Sequence, residues 1–334
     1  MNATIKLEKD HFPVLLDELI SIISPLYGGT FIDCTFGQGG YSKKILEHKQ
    51  NKVFAFDRDE KTLKEAELLK KKFNKRFNYQ NITFSKIDKV DLVNENIKAT
   101  IFDLGYSTKQ INDPSKGISF KSKGKLNMRM GINQFSAHDV INKMSVRSLQ
   151  KIFKYFGEEK KSKIIAKKII LEREKKIICT EDLVKIIDIA KKGKKTKIHN
   201  ATKTFQSLRV FVNKEISQLI YGLINSFKIL PIGGMIVVIT FHSLEDQIVK
   251  FFFKNYSENK NTSRYLPEKK KTKKLFSLIN RKPILPGNEE IKVNPPSRSA
   301  KLRYAIKTND SDDFNEFLTK FEYLLDIEKL SEKL

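Results

Sequence analysis

The sequence predicts an α/β protein, a parallel, helix-covered sheet whose order is interrupted by a helical insertion. Over the first hundred residues short apolar strands alternate with helical segments, the pattern of a sheet built from crossover units. From Lys109 the alternation stops for about a hundred residues, and strand character returns only at 235–241. The chain is 334 residues long with 40% hydrophobic residues, enough for a substantial core, which excludes disorder throughout.

Residues 30–33 form the first strand, 34–40 a glycine loop, and a helix runs from about Tyr41 to Glu47. A second strand, 52–57, precedes a long polar helix through 60–72. Residues 82–84 and 99–103 supply two more strands. Helical patterns then cover 146–156, 158–173 and 181–191. The apolar stretch 220–241 is broken by Lys228, Pro231 and a glycine pair, so it reads as a helix, a turn and a strand buried on both faces, and no segment spans a membrane. Residues 255–282 read as an exposed Lys- and Asn-rich loop, 300–306 as a final strand, and 310–334 as an amphipathic closing helix carrying Phe314, Phe317, Phe321 and Leu324. The resulting division is 1–108 for the first part of the sheet domain, 109–215 for the helical insertion, and 216–334 for the second part of the sheet domain with the basic loop and closing helix. At roughly 150 residues per domain, this length allows two domains or one domain with an insertion.

Sixty-four Lys and Arg against 39 Asp and Glu give a net charge of +25, a field that attracts polyanions. The abundance of Lys, Ile, Asn and Phe also matches what an A+T-biased genome writes, so charge alone leaves nucleic acid near even. Clusters at 191–197 and 269–274 tip the balance toward it. Cys34 and Cys179 make no CxxC spacing, which argues against a disulfide framework or a cysteine-rich zinc site and fits a reducing cytoplasm. The acidic residues among the first thirty match no secretory or transit signal. His11, His48, His138 and His199 show no metal-ligand spacing, so no metal is expected.

The glycine loop carries the first chemical signal. Gly37, Gly39 and Gly40 lie between strand and helix, where a bare backbone approaches a ligand and helix N-terminal amides are open. Asp57 closes the second strand 18 residues after Gly39, where nucleotide-binding folds place a carboxylate for ribose hydroxyls. A dinucleotide fingerprint would need glycine where Ser42 stands. Asp33, four residues before Gly37, suits a ligand with a cationic centre, so S-adenosylmethionine is favoured over NAD. Asp103 ends the fourth strand, in Asp103-Leu104-Gly105, and is the first choice to orient an amino acceptor in line with a sulfonium methyl. Ser243 with Asp246 resembles a helix cap, and His242 divides evenly between a phosphate or base contact and a structural histidine. Arg129, Arg209 and Arg298 are candidate RNA contacts, since a planar fork suits phosphate; each could equally serve an internal ion pair.

Taken together, the motifs resemble one family, RsmH or MraW, which methylates the N4 amine of a cytosine in 16S ribosomal RNA near the decoding centre. The similar segments are His11 to Leu16, Asp33 to Ser42, Phe102-Asp103-Leu104-Gly105, Gln110 to Pro114, Gly117 to Phe120, Leu126 to Met130, Gly157-Glu158-Glu159, Thr204 to Arg209, Phe241 to Asp246 and Asn294 to Arg303. They follow the family order over nearly the whole chain. The resemblance implies a Rossmann-like methyltransferase sheet with an inserted helical domain, S-adenosylmethionine as cofactor, and the small ribosomal subunit as partner. It also implies that Gly39, Gly40, Tyr41, Asp57, Asp103 and Gln110 occupy cofactor-binding positions. The chain departs from the pattern at Tyr41, usually His, at Tyr106, usually Val, and at Asn127 and Gly131, usually Asp. The family's aromatic cofactor contact after the third strand has no clear counterpart near 86–91. Two rivals remain at this stage, an NAD-dependent dehydrogenase and a non-catalytic ribosome-assembly factor, and the oligomeric state is left open, a homodimer among the options.

Overall fold

The computed structural model describes residues 13–334 apart from 94, 108–109, 112, 122, 132–133, 176, 192–197 and 258–273. Of the sequence features singled out, His11, Phe12, Asn112 and most of both basic clusters lie outside the described residues.

Seven strands form one sheet: β1 (Gly29–Asp33), β2 (Asn51–Phe56), β3 (Phe77–Gln80), β4 (Ile97–Asp103), β5 (Met235–Thr240), β6 (Phe276–Ser277) and β7 (Lys301–Lys307), in the order β3-β2-β1-β4-β5-β7-β6. β1 to β5 run parallel, whereas β7 is antiparallel to both β5 and β6. The sheet is the Rossmann-like α/β class. β5 is an unbroken β-branched run and is central, buried along all but its first residue, as a strand covered on both faces must be. β7 is more alternating, and its Arg303 and Lys301 leave the sheet to meet Asp246 at 2.7 Å and 3.0 Å.

Helices α1 (Leu16–Ile23), α2 (Gly40–Leu46) and α3 (Leu63–Phe73) accompany the first strands. Then come α4 (Ala137–Lys143), α5 (Val146–Phe156), α6 (Ser162–Glu172), α7 (Thr180–Lys191), α8 (Thr202–Val212) and α9 (Glu215–Ile229). The last three are α10 (Ser243–Ser257), α11 (Asn288–Val293) and α12 (Asn315–Lys329). No helix among the described residues is long and apolar enough to cross a membrane.

The chain divides into two compact units, Met1–Gly105 with Leu223–Asp312, and Tyr106–Gly222 with Asp313–Leu334. The first holds the whole sheet. The second is helical, and its α5 shows why it folds: Leu149, Ile152, Phe153 and Phe156 recur at three- and four-residue spacing and are all buried, while Ser145 caps the helix by accepting from Ser148 N at 3.1 Å. The closing helix, read from sequence as part of the sheet domain, groups instead with this second unit. It packs against α5, and its Tyr323 meets Tyr155 edge-on.

Three local readings are corrected. The third strand is Phe77–Gln80, while residues 82–84 lead into a distorted 3-10 segment, Phe84–Lys89. Residues 276–277, read as exposed loop, form the edge strand β6. The helix expected over 158–173 begins only at Ser162, because Glu158 takes a left-handed conformation and the buried Glu159 pairs with Lys191 at 2.6 Å.

Helix α9 is closed at each end by a side chain from late in the chain. In the second unit Glu328 accepts from Ile216 N at 2.9 Å and Ser217 N at 3.1 Å, meeting the free amides of its first turn. In the first unit the buried Lys307 ammonium donates to the Phe227 and Leu230 carbonyls at 2.8 Å and 2.7 Å. Burial pushes the Glu328 carboxyl up from 4.5 to about 7, although the Ile216 and Ser217 donors oppose the shift. The folded chain therefore holds this proton more tightly than the unfolded chain, so the stabilisation is full below about pH 4.5 and is lost as the pH rises through 7. Glu328→Gln is expected to flatten the stability profile over that interval by up to about 3 kcal/mol, read as urea midpoints of variant and wild type across the range. Identical pH slopes in the two proteins would refute the assignment.

Candidate active site

The order β2-β1-β4 makes β1 the strand from which the sheet grows in both directions, and ligands of such sheets lie beyond the carboxyl ends at this switch point. Three acidic residues stand there. Asp33 ends β1, Asp103 ends β4, and Asp57 directly follows β2.

Asp33 is buried, with Ser42 Oγ donating at 2.6 Å and Thr35 N at 3.3 Å. Burial pushes its carboxyl up to about 7, with Asp57 and Asp103 adding repulsion, so Asp33 keeps a proton into the neutral range. Asp57 receives Gly37 N on Oδ2 and Asp59 N on Oδ1, both at 2.8 Å, while Asn81 Nδ2 donates to its carbonyl, also at 2.8 Å. Burial raises this carboxyl too, and the two backbone donors partly offset it. Asp103 receives Gly105 N on Oδ1 at 3.0 Å and the Tyr41 hydroxyl on Oδ2 at 3.2 Å, and its own amide donates to Thr35 Oγ1 at 2.7 Å.

The glycine loop is built for close approach. Gly39 has φ +73°, and a Cβ there would lie 2.7 Å from the Phe36 ring; a Cβ on Gly40, the first residue of α2, would lie 2.1 Å from Pro13 Cγ. Phe36 is itself held by Phe77 and Tyr79, at ring separations of 5.6 Å and 5.3 Å. Tyr41 faces inward and is buried, its hydroxyl donating to Val14 O at 2.6 Å.

Of the candidate RNA contacts in this unit, Arg298 is exposed on the 3-10 turn Pro295–Ser299, ahead of β7. His242 caps α10: its Nδ1 lies 3.4 Å from Glu245 N, and Glu245 Oε2 accepts from Phe241 N and His242 N at 2.8 Å and 3.2 Å. The cap read from sequence as Ser243 with Asp246 is thus a box between His242 and Glu245, and Asp246 serves Arg303 and Lys301 instead.

In the second unit Gln110 and Ser107 cap one another, Gln110 Oε1 accepting from Ser107 N at 3.1 Å and Ser107 Oγ from Gln110 N at 3.2 Å. Arg129 is exposed, its Nε donating to Asn127 Oδ1 at 2.7 Å. The turn that carries Arg129 is held by Asn213, which accepts from Met130 N and donates to Met128 O, both at 2.8 Å. Arg209 makes a two-pronged pair with Glu215, both distances 3.0 Å, and lies 4.2 Å above the Tyr106 ring, whose hydroxyl donates to the same carboxylate. This is the internal ion pair that the sequence left open as an alternative.

The family model of the MraW methylase family matches residues 8–308. The chain belongs to the MraW methylase family. It is 40% identical over 305 residues to a protein of Bartonella bacilliformis named ribosomal RNA small subunit methyltransferase H, with 90% of each chain covered. Proteins of the same name from Orientia tsutsugamushi and Ehrlichia ruminantium are 37% and 40% identical, covering 90% and 89% of this chain and 99% of their own.

Within this MraW-family chain, sequence reasoning missed Thr35, Asn81 and Phe84. Phe84 follows β3, is partly buried, and meets Phe102 edge-on at 5.3 Å. Asn225, on α9, clamps the same segment by donating to Ser85 O at 2.7 Å and Asp88 Oδ1 at 2.8 Å. The only sequence signal for Phe84 was an aromatic residue in a run read as strand.

Proposed function

We propose that this chain transfers the methyl group of S-adenosylmethionine to the N4 amine of a cytosine in 16S ribosomal RNA, near the decoding centre of the small subunit. The observation that carries the reading is the gathering of Asp33, Asp57 and Asp103 at one strand edge behind a glycine loop with no room for side chains at Gly39 and Gly40, in a chain of the MraW family. Its relatives' shared name supports the ribosomal substrate, and this reading puts the protein in the cytoplasm with that substrate.

The residues suit an adenosyl sulfonium. Gly39 and Gly40 let Phe36 and Pro13 pack directly on the loop backbone and so fix its course, Gly37 leaves its own side open, Asp57 keeps further lone pairs for ribose hydroxyls, Phe84 offers a ring for the adenine, and Asp57 and Asp103 set acidic oxygens for a positive centre. Gln110 is retained as a cofactor-binding residue. Bound there, S-adenosylmethionine supplies an electrophilic methyl group. The cytosine amine is a weak nucleophile because its lone pair is delocalised into the ring. Asp103 accepts a hydrogen bond from that amine, aligns the lone pair and receives the proton that N4 loses on becoming methylated, after the base has left its stack.

Arg129 and Arg298, both exposed, bind RNA phosphates, with His242 at the head of α10 beside them in role; Arg209 contributes by holding Tyr106 and Glu215 as one block. Arg298→Glu is expected to raise the KM for the ribosomal substrate about three- to tenfold and to alter its salt dependence, with kcat nearly unchanged. An unchanged KM across salt concentrations would remove Arg298 from the interface. The test of the whole reading is methyl transfer from labelled S-adenosylmethionine to small subunits lacking the modification, followed by nucleoside mass spectrometry. N4-methylcytosine supports it; no incorporation despite RNA binding would point to an assembly factor.

A further inference from the structure

We propose that Tyr41 is a positioning residue for Asp103, its phenol hydroxyl fixing the carboxylate that receives the acceptor amine. The inference rests on the role given to Asp103 under Proposed function, and it gives the Tyr41 side chain a task besides the cofactor contact expected at this position.

Tyr41 is 4% exposed, and its hydroxyl lies 2.6 Å from Val14 O and 3.2 Å from Asp103 Oδ2. Burial and the neighbouring Asp103 charge hold the phenol well above its usual range, with Asp33 and Glu290 acting in the same direction, so the group remains a proton donor at any working pH. The other oxygen of Asp103 receives Gly105 N at 3.0 Å, so Oδ1 has a backbone donor while Oδ2 shares the single Tyr41 hydroxyl proton with Val14 O, and the two contacts set the carboxylate plane before substrate arrives. The turn that supplies Gly105 is confined by Phe241, whose ring leaves no space for a Cβ at Gly105, 2.8 Å away. The backbone of Asp103 is anchored in turn by Thr35 Oγ1. Tyr41 also joins this carboxylate to the segment before α1. There Pro13 covers Gly40, and Leu15, in a left-handed conformation, donates its amide to Glu290 Oε1 at 2.9 Å.

The test compares the full chain with Tyr41→Phe and Tyr41→His on small subunits lacking the modification. It measures kcat, the KM of each substrate, cofactor Kd by calorimetry, thermal unfolding, and the pH profile of kcat/KM. Tyr41→Phe is expected to bind S-adenosylmethionine within about threefold of wild type while kcat falls about tenfold to thirtyfold. The acid limb of its profile should move to higher pH, because the carboxylate has lost a donor that favours its ionised form. Tyr41→His keeps an N–H donor and is expected to recover most of kcat; it also decides the question by its own pH limb if the Phe variant does not fold. Wild-type kcat with an unmoved acid limb in the folded variants overturns the proposal. So does a loss confined to cofactor Kd and KM, which would make Tyr41 a cofactor contact. Absence of transfer by the wild-type chain would instead overturn the methyltransferase reading itself, and this inference with it.

Discussion

Asp103→Ala is expected to abolish methyl transfer, lowering kcat by about a thousandfold or more while the protein stays folded and still binds RNA. The magnitude follows from the two tasks assigned to the carboxylate. Orientation of a weakly nucleophilic amine and relief of its developing charge each contribute on the order of tenfold to a hundredfold or more when a positioned group supplies them. Both are lost together in the alanine variant, which also frees the Tyr41 hydroxyl and Gly105 N of their shared partner. Asp103→Asn separates the contributions, because the amide keeps the shape and one acceptor but not the charge. Single-turnover transfer on undermethylated subunits is the appropriate readout, since it isolates the chemical step. Wild-type turnover in Asp103→Ala would remove Asp103 from the mechanism.

Asp57→Ala is expected to act on binding instead, weakening S-adenosylmethionine by about a hundredfold. Hydrogen bonds from ribose hydroxyls to an ionised carboxylate contribute about 1.5–3 kcal/mol each, and loss of roughly 3 kcal/mol corresponds to about two orders of magnitude in Kd. Part of the effect is indirect. Asp57 holds the glycine loop through Gly37 N and its own turn through Asp59 N, so removing it loosens the backbone that meets the ligand. Asp57→Asn keeps acceptor capacity for one of those amides and should lose less. Calorimetric titration of cofactor into each variant, with thermal unfolding as a control for folding, makes the comparison. An unchanged Kd in a folded Asp57→Ala would move the ribose contact to another residue.

The central strands were legible because composition and position agree: the β-branched run of β5 allows no other reading, and the acidic strand ends stand where the glycine loop directs a ligand. The third strand was misplaced by five residues because two short segments compete. Phe77–Gln80 wins by pairing in register with β2, and Phe84 turns its ring onto Phe102 instead of joining a ladder. The two-residue β6 carries no period to read. Within the site, local spacing exposed Asp33, Asp57 and Asp103, but the Tyr41 bond to Asp103 joins residues 62 positions apart and leaves no local trace. The same holds for Arg209, whose bond to Glu215 is local enough to suspect but whose aromatic floor, Tyr106, is not. The His242 and Glu245 box was hidden by a more familiar serine next door. The closing helix was read correctly as amphipathic, yet amphipathicity says only that a face is buried and not what buries it.

The antiparallel strand has a consequence for synthesis. β5 ends at Thr240 and β7, its only neighbour on that side, begins at Lys301, roughly sixty residues later. At about 5–20 residues per second, a ribosome leaves the most apolar strand of the sheet with an open edge for about 3–12 seconds after β5 is made. Throughout that interval the nascent chain offers a bare β-branched ladder to any other extended segment. The strand that ends this exposure carries its own charges, Lys301 and Arg303, and so closes the edge with a sequence ill suited to pairing with further copies of itself.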